Sequence, residues 1–290
     1  MIGTRDTLAV TVALALVAVG LGPGAPRPEV GIHADVLVAA RASAVVEPLR
    51  ELQDGLDTAT DTSRSAAAAI VAGDRSPGEL LQEAADLVAE AGEIAALANA
   101  GARELESARL ARDPSAEPMP EGVAAADLAS ISAQLEATVE AADEFAAMRR
   151  RAVNVPEALR AALAALADRD LVAAEEHLAT AADDQAAVAG WDVDDAALPV
   201  WVAATDATID AVRRLLDAVR DGDEMAAERA AADFAALASE ATRADRALQI
   251  TISEGGGTVA RAPLARLADA QDRVAALREF VATVLAGDGR

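Results

Sequence analysis

An acidic loop between the two tryptophans is the part of the sequence whose residue types could do chemistry. Asp192, Asp194 and Asp195 lie close together, and Trp191 and Trp201 flank them. Carboxylate oxygens are the ligands that Ca²⁺ prefers, and indole rings attract organic cations. We therefore take these five residues as a candidate site for Ca²⁺ or a cationic ligand.

A structural interpretation of the same loop is also open. The loop departs from the helix–loop–helix calcium motif, because the turn glycine is missing and the twelfth position counted from Asp192 is Ala203. In this alternative the tryptophans hold the loop against the helices, while the aspartates cap a helix and face water. The sequence identifies no particular metal.

The remaining residue types give little support to catalysis. The chain lacks Cys, Lys and Tyr, and His33 has no apparent partner. A di-iron Glu-x-x-His motif would need Glu three residues before His177, where the chain has Ala174. A serine nucleophile would need a positioned base, usually a histidine, and neither histidine of the chain has suitable neighbours in the sequence. We predict that the chain is not an enzyme and uses no cofactor, and we keep a carboxylate- or metal-dependent enzyme as the second alternative.

The composition predicts helices with an acidic surface. Hydrophobic residues make up 53% of the chain and aromatic residues only 2%, so the apolar content is mostly Ala, Leu and Val. Such residues favour closely packed helices. The formal net charge of -24 repels phosphate backbones, and we expect no nucleic-acid partner. Two alternatives, adaptation to high salt and a GC-rich coding bias, would each account for the acidic, Lys-free composition.

The N-terminal segment has the character of a membrane-targeting sequence. Residues Thr7 to Pro26 carry no charge, Arg5 precedes them and Arg27 follows. Their length lies between that of a signal peptide and that of a short membrane span. We predict that residues 1–26 are a cleaved signal peptide or an uncleaved membrane anchor. A Pro- and Gly-rich spacer at 27–32 would then lead into an extracytoplasmic region.

The clearest helix is predicted to begin at Ser76, because Pro77 fits the first helical position and Glu79 completes a capping box. Downstream, apolar residues recur at alternating steps of four and three, as in a bundle helix. The stripe consists of Leu80, Ala84, Leu87, Ala91, Ile94, Ala98, Gly101, Leu105 and Ala108, with Leu81, Val88 and Leu97 beside it. This pattern predicts that Ile94 lies in a helix contact and that Glu90 faces water.

Proline and glycine mark the predicted breaks further along the chain. The Pro-rich residues 113–121 predict a linker between an N-terminal helical region at 33–112 and a C-terminal bundle at 122–290. Two more helix boundaries are predicted, one at Pro156 and one at Gly255 to Gly257.

The helix that follows the linker is predicted to run from about Ala124 to Arg151. Its inward residues are Leu128, Ile131, Leu135, Val139, Ala142 and Phe145. The triplet Arg149–Arg151 is expected to end this helix, because cations favour a helix C-terminus. A binding patch for an anionic partner is the alternative interpretation of the triplet.

Two stretches of the C-terminal region resemble each other. Residues 159–175 and 212–228 both read as a helix, a tight Asp-x-Asp turn and a second helix. The second aspartates, Asp170 and Asp223, suit the N-cap of the following helix. The similarity predicts a duplicated helical hairpin, although Ala-rich helices also resemble one another by composition alone.

Together these patterns predict an all-α protein, with Ala-rich antiparallel bundles of about eight helices after the N-terminal segment. The function that fits best is an exported or membrane-tethered binding module, whose partner is a protein or an envelope component. The first alternative is a structural spacer or a scaffold that dimerises along its Leu and Ala stripes.

Overall fold

Six helices make up the part of the chain that the computed structural model describes, namely residues 30–74, 76–192 and 195–287. These ranges contain no strand. In chain order the helices are α1 (Val30–Ala72), α2 (Pro77–Arg112), α3 (Ala125–Ala167), α4 (Leu171–Ala189), α5 (Ala197–Asp221) and α6 (Glu224–Gly287). The prediction of an all-α, bundle-like protein is confirmed.

Two predicted helix boundaries are wrong, and this accounts for six helices in place of about eight. Helix α3 runs without interruption through Pro156, and α6 passes Pro263 in the same way. Proline in a helix interior removes a backbone hydrogen bond and costs about 3 kcal/mol. Ala152 and Leu159, on either side of Pro156, are buried in one core. We attribute the continuity of α3 to this burial, which outweighs the local cost.

The glycine triplet at Gly255 to Gly257 does not break α6 either. A Cβ atom on Gly255 would lie 2.6 Å from Cε1 of Phe145, and one on Gly256 would overlap Cγ2 of Ile70. The first two glycines therefore let α6 approach α3 and α1 closely. They serve helix packing and not chain reversal.

The first hydrophobic core lies between α1, α2, the first half of α3 and the last part of α6. All the inward residues predicted for the start of α3 pack into it, namely Leu128, Ile131, Leu135, Val139, Ala142 and Phe145. The Pro-rich residues 113–121 connect α2 to α3, so helices on both sides of them share this core.

The second core lies between the second half of α3, α4, α5 and the first half of α6. Its largest fully buried side chain is Trp201, which is 1% exposed. Because α3 and α6 contribute to both cores, the two bundles are stacked end to end. Phe145 packs against both cores, and its ring meets that of Trp191 edge-on with the centroids 5.2 Å apart.

The two similar hairpins have the same local geometry at their turns. Asp170 and Asp223 each accept a hydrogen bond from the backbone N–H three residues later, at 3.0 Å in both cases. The predicted N-caps are thus confirmed. The preceding residues, Arg169 and Gly222, have left-handed backbones with φ of 58° and 73°. Arg169 therefore occupies a conformation that suits glycine better.

The start of α2 differs from the predicted capping box. Ser76 has a left-handed backbone, and its side chain makes no capping hydrogen bond. Instead, Oδ1 of Asp143 on α3 accepts a hydrogen bond from the N–H of Gly78 at 2.9 Å. A Cβ on Gly78 would lie 2.5 Å from Oδ2 of Asp143, so only glycine leaves room for this carboxylate at the helix N-terminus. The negative charge is favourable there, because a helix N-terminus carries a partial positive charge.

The buried face of α2 is rotated from the predicted stripe. Leu81 and Val88, predicted to lie beside the stripe, are fully buried. Ile94 at its centre is half-buried, and Leu97 is 68% exposed. The reason is that α2 packs against both α1 and α3, so its buried sector faces the space between them. Glu90 faces solvent, as predicted.

The Pro-rich residues 113–121 are non-helical but are held by hydrogen bonds. Nη2 of Arg109 on α2 donates to the backbone oxygen of Glu117 at 3.1 Å. At the start of the segment, Asp113 accepts hydrogen bonds from the hydroxyl and the backbone N–H of Ser115, at 2.7 and 2.9 Å. The hydroxyl contact is the main reason that the pKa of Asp113 is lowered.

The N-terminal segment falls at residues 1–29, which lie outside the described residues. The signal peptide or membrane anchor therefore stays a prediction. Helix α1 begins at Val30, inside the segment predicted as a spacer. Among the described helices, none is long and apolar enough to cross a membrane.

Candidate ligand-binding site

A cleft opens into the second bundle between α3, α5 and α6. Its volume is about 390 Å³, which lies within the range of small-molecule sites. Its walls consist of Val155, Pro156, Leu159 and Arg160 from α3, Trp201, Thr205 and Thr208 from α5, and Phe234, Ala238, Ala241, Thr242 and Asp245 from α6.

Helical periodicity brings the lining side chains to one face of each helix. On α5, Trp201, Thr205 and Thr208 follow one another at steps of four and three, so they share a face. On α6, Ala238 and Ala241 reach the same cleft, and both are half-buried. Because alanine side chains are short, they leave open the space that a longer aliphatic residue would fill.

Three threonine hydroxyls line the cleft, and their hydrogen bonds differ. Thr208 donates to the backbone oxygen of Ala204, and Thr242 donates to that of Ala238, both at 2.7 Å. Thr205 is only 5% exposed, yet it makes no hydrogen bond to any other described residue. The hydroxyl oxygen of Thr205 is accessible to solvent, so it can form a hydrogen bond with a molecule that enters the cleft.

Two opposite charges border the cleft. Asp245 is half-buried in the α6 wall, where its Oδ1 accepts a hydrogen bond from Nε2 of Gln249 at 3.4 Å. Arg160 is exposed on α3 and forms no ion pair with any residue that the structure describes. Asp245 is thus the less exposed of the two charged residues.

The two tryptophans of the predicted site lie in different surroundings. Trp191 is 8% exposed and packs against Phe145 at the junction of the two bundles. Trp201 is buried in the second core and forms part of the cleft. Both indoles anchor the loop and the start of α5 to packed helices.

The aspartates of the predicted site are only partly described. Oδ1 of Asp195 accepts a hydrogen bond from the N–H of Ala197 at 2.6 Å, at the start of α5. Asp192 is exposed. Asp194 lies outside the described residues. The role of this loop in binding Ca²⁺ or a cation therefore stays a prediction.

The histidines and acidic residues give no metal centre in the described part of the chain. His177 is exposed on α4. Within the described ranges, no group of three or more His, Asp or Glu side chains is placed to hold a metal ion.

The triplet Arg149–Arg151 lies within α3 and not at its end, so the predicted helix end there is wrong. Nη1 of Arg150 donates to the backbone oxygen of Gly73 at 3.1 Å, and thus serves the C-terminus of α1. Arg151 lies 3.5 Å from Asp184 on α4. A cation does favour a helix C-terminus, but Arg150 does so for α1 and not, as the sequence had predicted, for its own helix.

Comparison with protein-family models, curated proteins and solved structures finds no match. A functional proposal for this chain depends on its own geometry.

Proposed function

We propose that the chain is a helical binding protein, exported or tethered to a membrane by its N-terminal segment. In this proposal the cleft between α3, α5 and α6 holds a small ligand. The partner expected from the sequence, a protein or an envelope component, would deliver or receive that ligand.

The observation that carries the proposal is a cleft that combines apolar walls with the hydroxyl of Thr205, which has no hydrogen-bond partner among the described residues and is accessible from the cleft. Binding sites for small molecules are concave and mostly apolar, with a few polar groups that fix orientation. A groove between α1 and α6 also has charged residues at its border, namely Arg50, Arg278 and Glu279, but no indole lines it. The cleft, in contrast, reaches the buried indole of Trp201.

A cavity-filling substitution tests the binding function. Ala241→Leu should fill the cleft and abolish binding, because leucine would occupy the open space without disturbing the core. Ala236→Leu, an exposed position on the same helix, is the matched control. Binding of a mixed set of small aromatic cations, anions and alcohols to the full-length chain would be measured by ligand-detected NMR. Equal binding to both variants, or no binding to the unaltered chain, would contradict the proposal.

A separate experiment tests the location. A reporter that is active only outside the cytoplasm, fused after Arg290, should be active, and deletion of residues 1–26 should abolish its activity. Full reporter activity in the deletion variant would contradict export by the N-terminal segment.

One observation favours the alternative function of a structural spacer. Helix α6 has 64 residues, and at 1.5 Å per residue its contour length is about 96 Å. A spacer that dimerises along its stripes predicts an elongated dimer by small-angle scattering. A binding protein predicts a monomer whose Ala241→Leu variant keeps the same scattering curve but loses ligand.

A further inference from the structure

We infer that the cleft selects a small organic cation that carries N–H donors on an apolar body, such as an arylalkylammonium ion. The inference rests on the proposed binding function and names the ligand class for the same cleft. The reason is that the hydrogen-bonding groups that remain free in the lining of the cleft are mainly acceptors.

The threonines of the cleft offer mainly acceptors to a ligand. A threonine hydroxyl has one proton to donate and two lone pairs that accept. Thr208 and Thr242 already donate their protons to backbone oxygens of their own helices. Towards a ligand these two hydroxyls can therefore only accept, and a ligand that meets them must bring the donors.

The carboxylate of Asp245 adds another acceptor in the wall. It is half-buried and receives one long hydrogen bond, at 3.4 Å from Gln249, so lone pairs remain free. Hydrogen bonds between an ammonium donor and a carboxylate are stronger than neutral ones. Thr205, whose hydroxyl has no partner among the described residues, can accept a further hydrogen bond and can also donate one.

The aromatic walls suit the same ligand. The indole of Trp201 and the phenyl ring of Phe234 line the cleft. Aromatic faces attract cations, with tryptophan the best of them, and they also bury an apolar body. One ammonium ion with an aryl or alkyl chain would meet both the acceptors and these rings.

The charges of the whole molecule favour a cation over an anion. The formal net charge of -24 produces a negative potential that concentrates cations near the surface. Arg160 opposes this locally, but it is exposed, so water and salt screen its charge more than that of the half-buried Asp245. Removing the charge of Asp245 and removing that of Arg160 should therefore change the affinity for a cation in opposite directions.

Three probes of one shape and different charge test the inference on the full-length chain. They are 4-phenylbutylammonium, 4-phenylbutan-1-ol and 4-phenylbutyrate, with binding measured by calorimetry and by the fluorescence of Trp201 in a Trp191→Phe background. We expect the cation to bind at least about tenfold more tightly than the alcohol, and the anion to bind most weakly.

Two substitutions should change the affinity for 4-phenylbutylammonium in opposite directions. Asp245→Asn should weaken its binding about tenfold, and Arg160→Gln should tighten it by about threefold. Asp206→Asn, an exposed position of α5 outside the cleft, removes the same charge and should leave the affinity within about twofold.

The outcomes separate the inference from the proposed function. Preference for the anion or the alcohol, with loss of binding in Ala241→Leu, would overturn the cation inference and leave the binding function in place. An equal effect of Asp245→Asn and Asp206→Asn would also overturn it, because the protein's overall charge would then explain the affinity. Failure of all three probes, together with failure of the mixed probe set, would overturn both.

Discussion

Replacing Gly256 by alanine should destabilise the protein, although alanine is the better helix former. In an unstrained helix interior the change would stabilise by about 1 kcal/mol. Here the new Cβ would overlap Cγ2 of Ile70, a side chain of α1 that is 0% exposed. This methyl group cannot swing away, because a β-branched side chain in a helix has one strongly preferred χ1 rotamer.

The magnitude follows from two opposing terms. Restoring an ordinary carbon–carbon contact would require α1 and α6 to separate by roughly 1 Å. Overpacking of a core typically costs about 1–3 kcal/mol. The overlap at Gly256 belongs to the upper part of that range, and subtracting the gain of about 1 kcal/mol in helix propensity leaves a net loss of about 1–2 kcal/mol. Gly257 provides the control, since no atom lies within 4 Å of a Cβ placed there. Gly257→Ala should therefore stabilise by about 1 kcal/mol.

Urea unfolding followed by circular dichroism would measure both variants, and a double-mutant cycle with Ile70→Ala would identify the cause. In the Ile70→Ala background the obstructing methyl group is gone, so Gly256→Ala should become neutral or stabilising, with a coupling of about 1–3 kcal/mol. If Gly256→Ala and Gly257→Ala stabilise equally, the close approach of α1 and α6 at Gly256 is wrong.

Three further predictions concern turns and loops. Arg169→Gly should stabilise and Gly222→Ala should destabilise, each by about 1 kcal/mol in urea unfolding, because both backbones are left-handed; effects of the same sign would contradict this. Ser115→Ala should raise the pKa of Asp113 in an NMR titration. Because the pKa of Asp113 is lowered in the folded state, this hydrogen bond stabilises the fold above the ordinary pKa of 3.8, and the stabilisation is lost as the pH falls through the lowered value. An unchanged pKa of Asp113 in Ser115→Ala would refute the assigned cause. If the acidic loop binds Ca²⁺, a titration at high ionic strength should change the Trp fluorescence saturably, and Asp194→Asn should weaken the effect, whereas a flat titration leaves an anchored, solvated loop.

The fold class could be predicted because helix propensity and periodicity act locally. Ala-rich stretches with apolar residues at steps of three and four form helices wherever their faces are covered. The number of helices could not be predicted from the same signals. Pro156 and Gly256 are helix breakers by local propensity, but burial around Pro156 and the contact of Gly256 with Ile70 are tertiary effects, which override that propensity.

The cleft was missed for a related reason. Thr205 and Thr208 occupy positions on α5 that share a face with Trp201, and hydroxyls on an otherwise apolar face were the available signal. What no single helix reveals is the gap itself, which exists because Ala238 and Ala241, far along the chain on α6, meet this face with short side chains. A sequence pattern shows which residues share a face, but it does not show how far apart two faces lie.

The sharing of α3 and α6 between the two cores links the stability of the bundles to the cleft. Neither bundle keeps four helices if one of these two helices melts, so the chain should unfold in one cooperative step. The junction, where Phe145 meets Trp191 and Gly255, is then common to both cores. A substitution there, such as Gly256→Ala, should shift the tryptophan fluorescence transition and the circular dichroism transition together. Separate transitions would show that the bundles fold independently, and the cleft would then depend only on the second bundle.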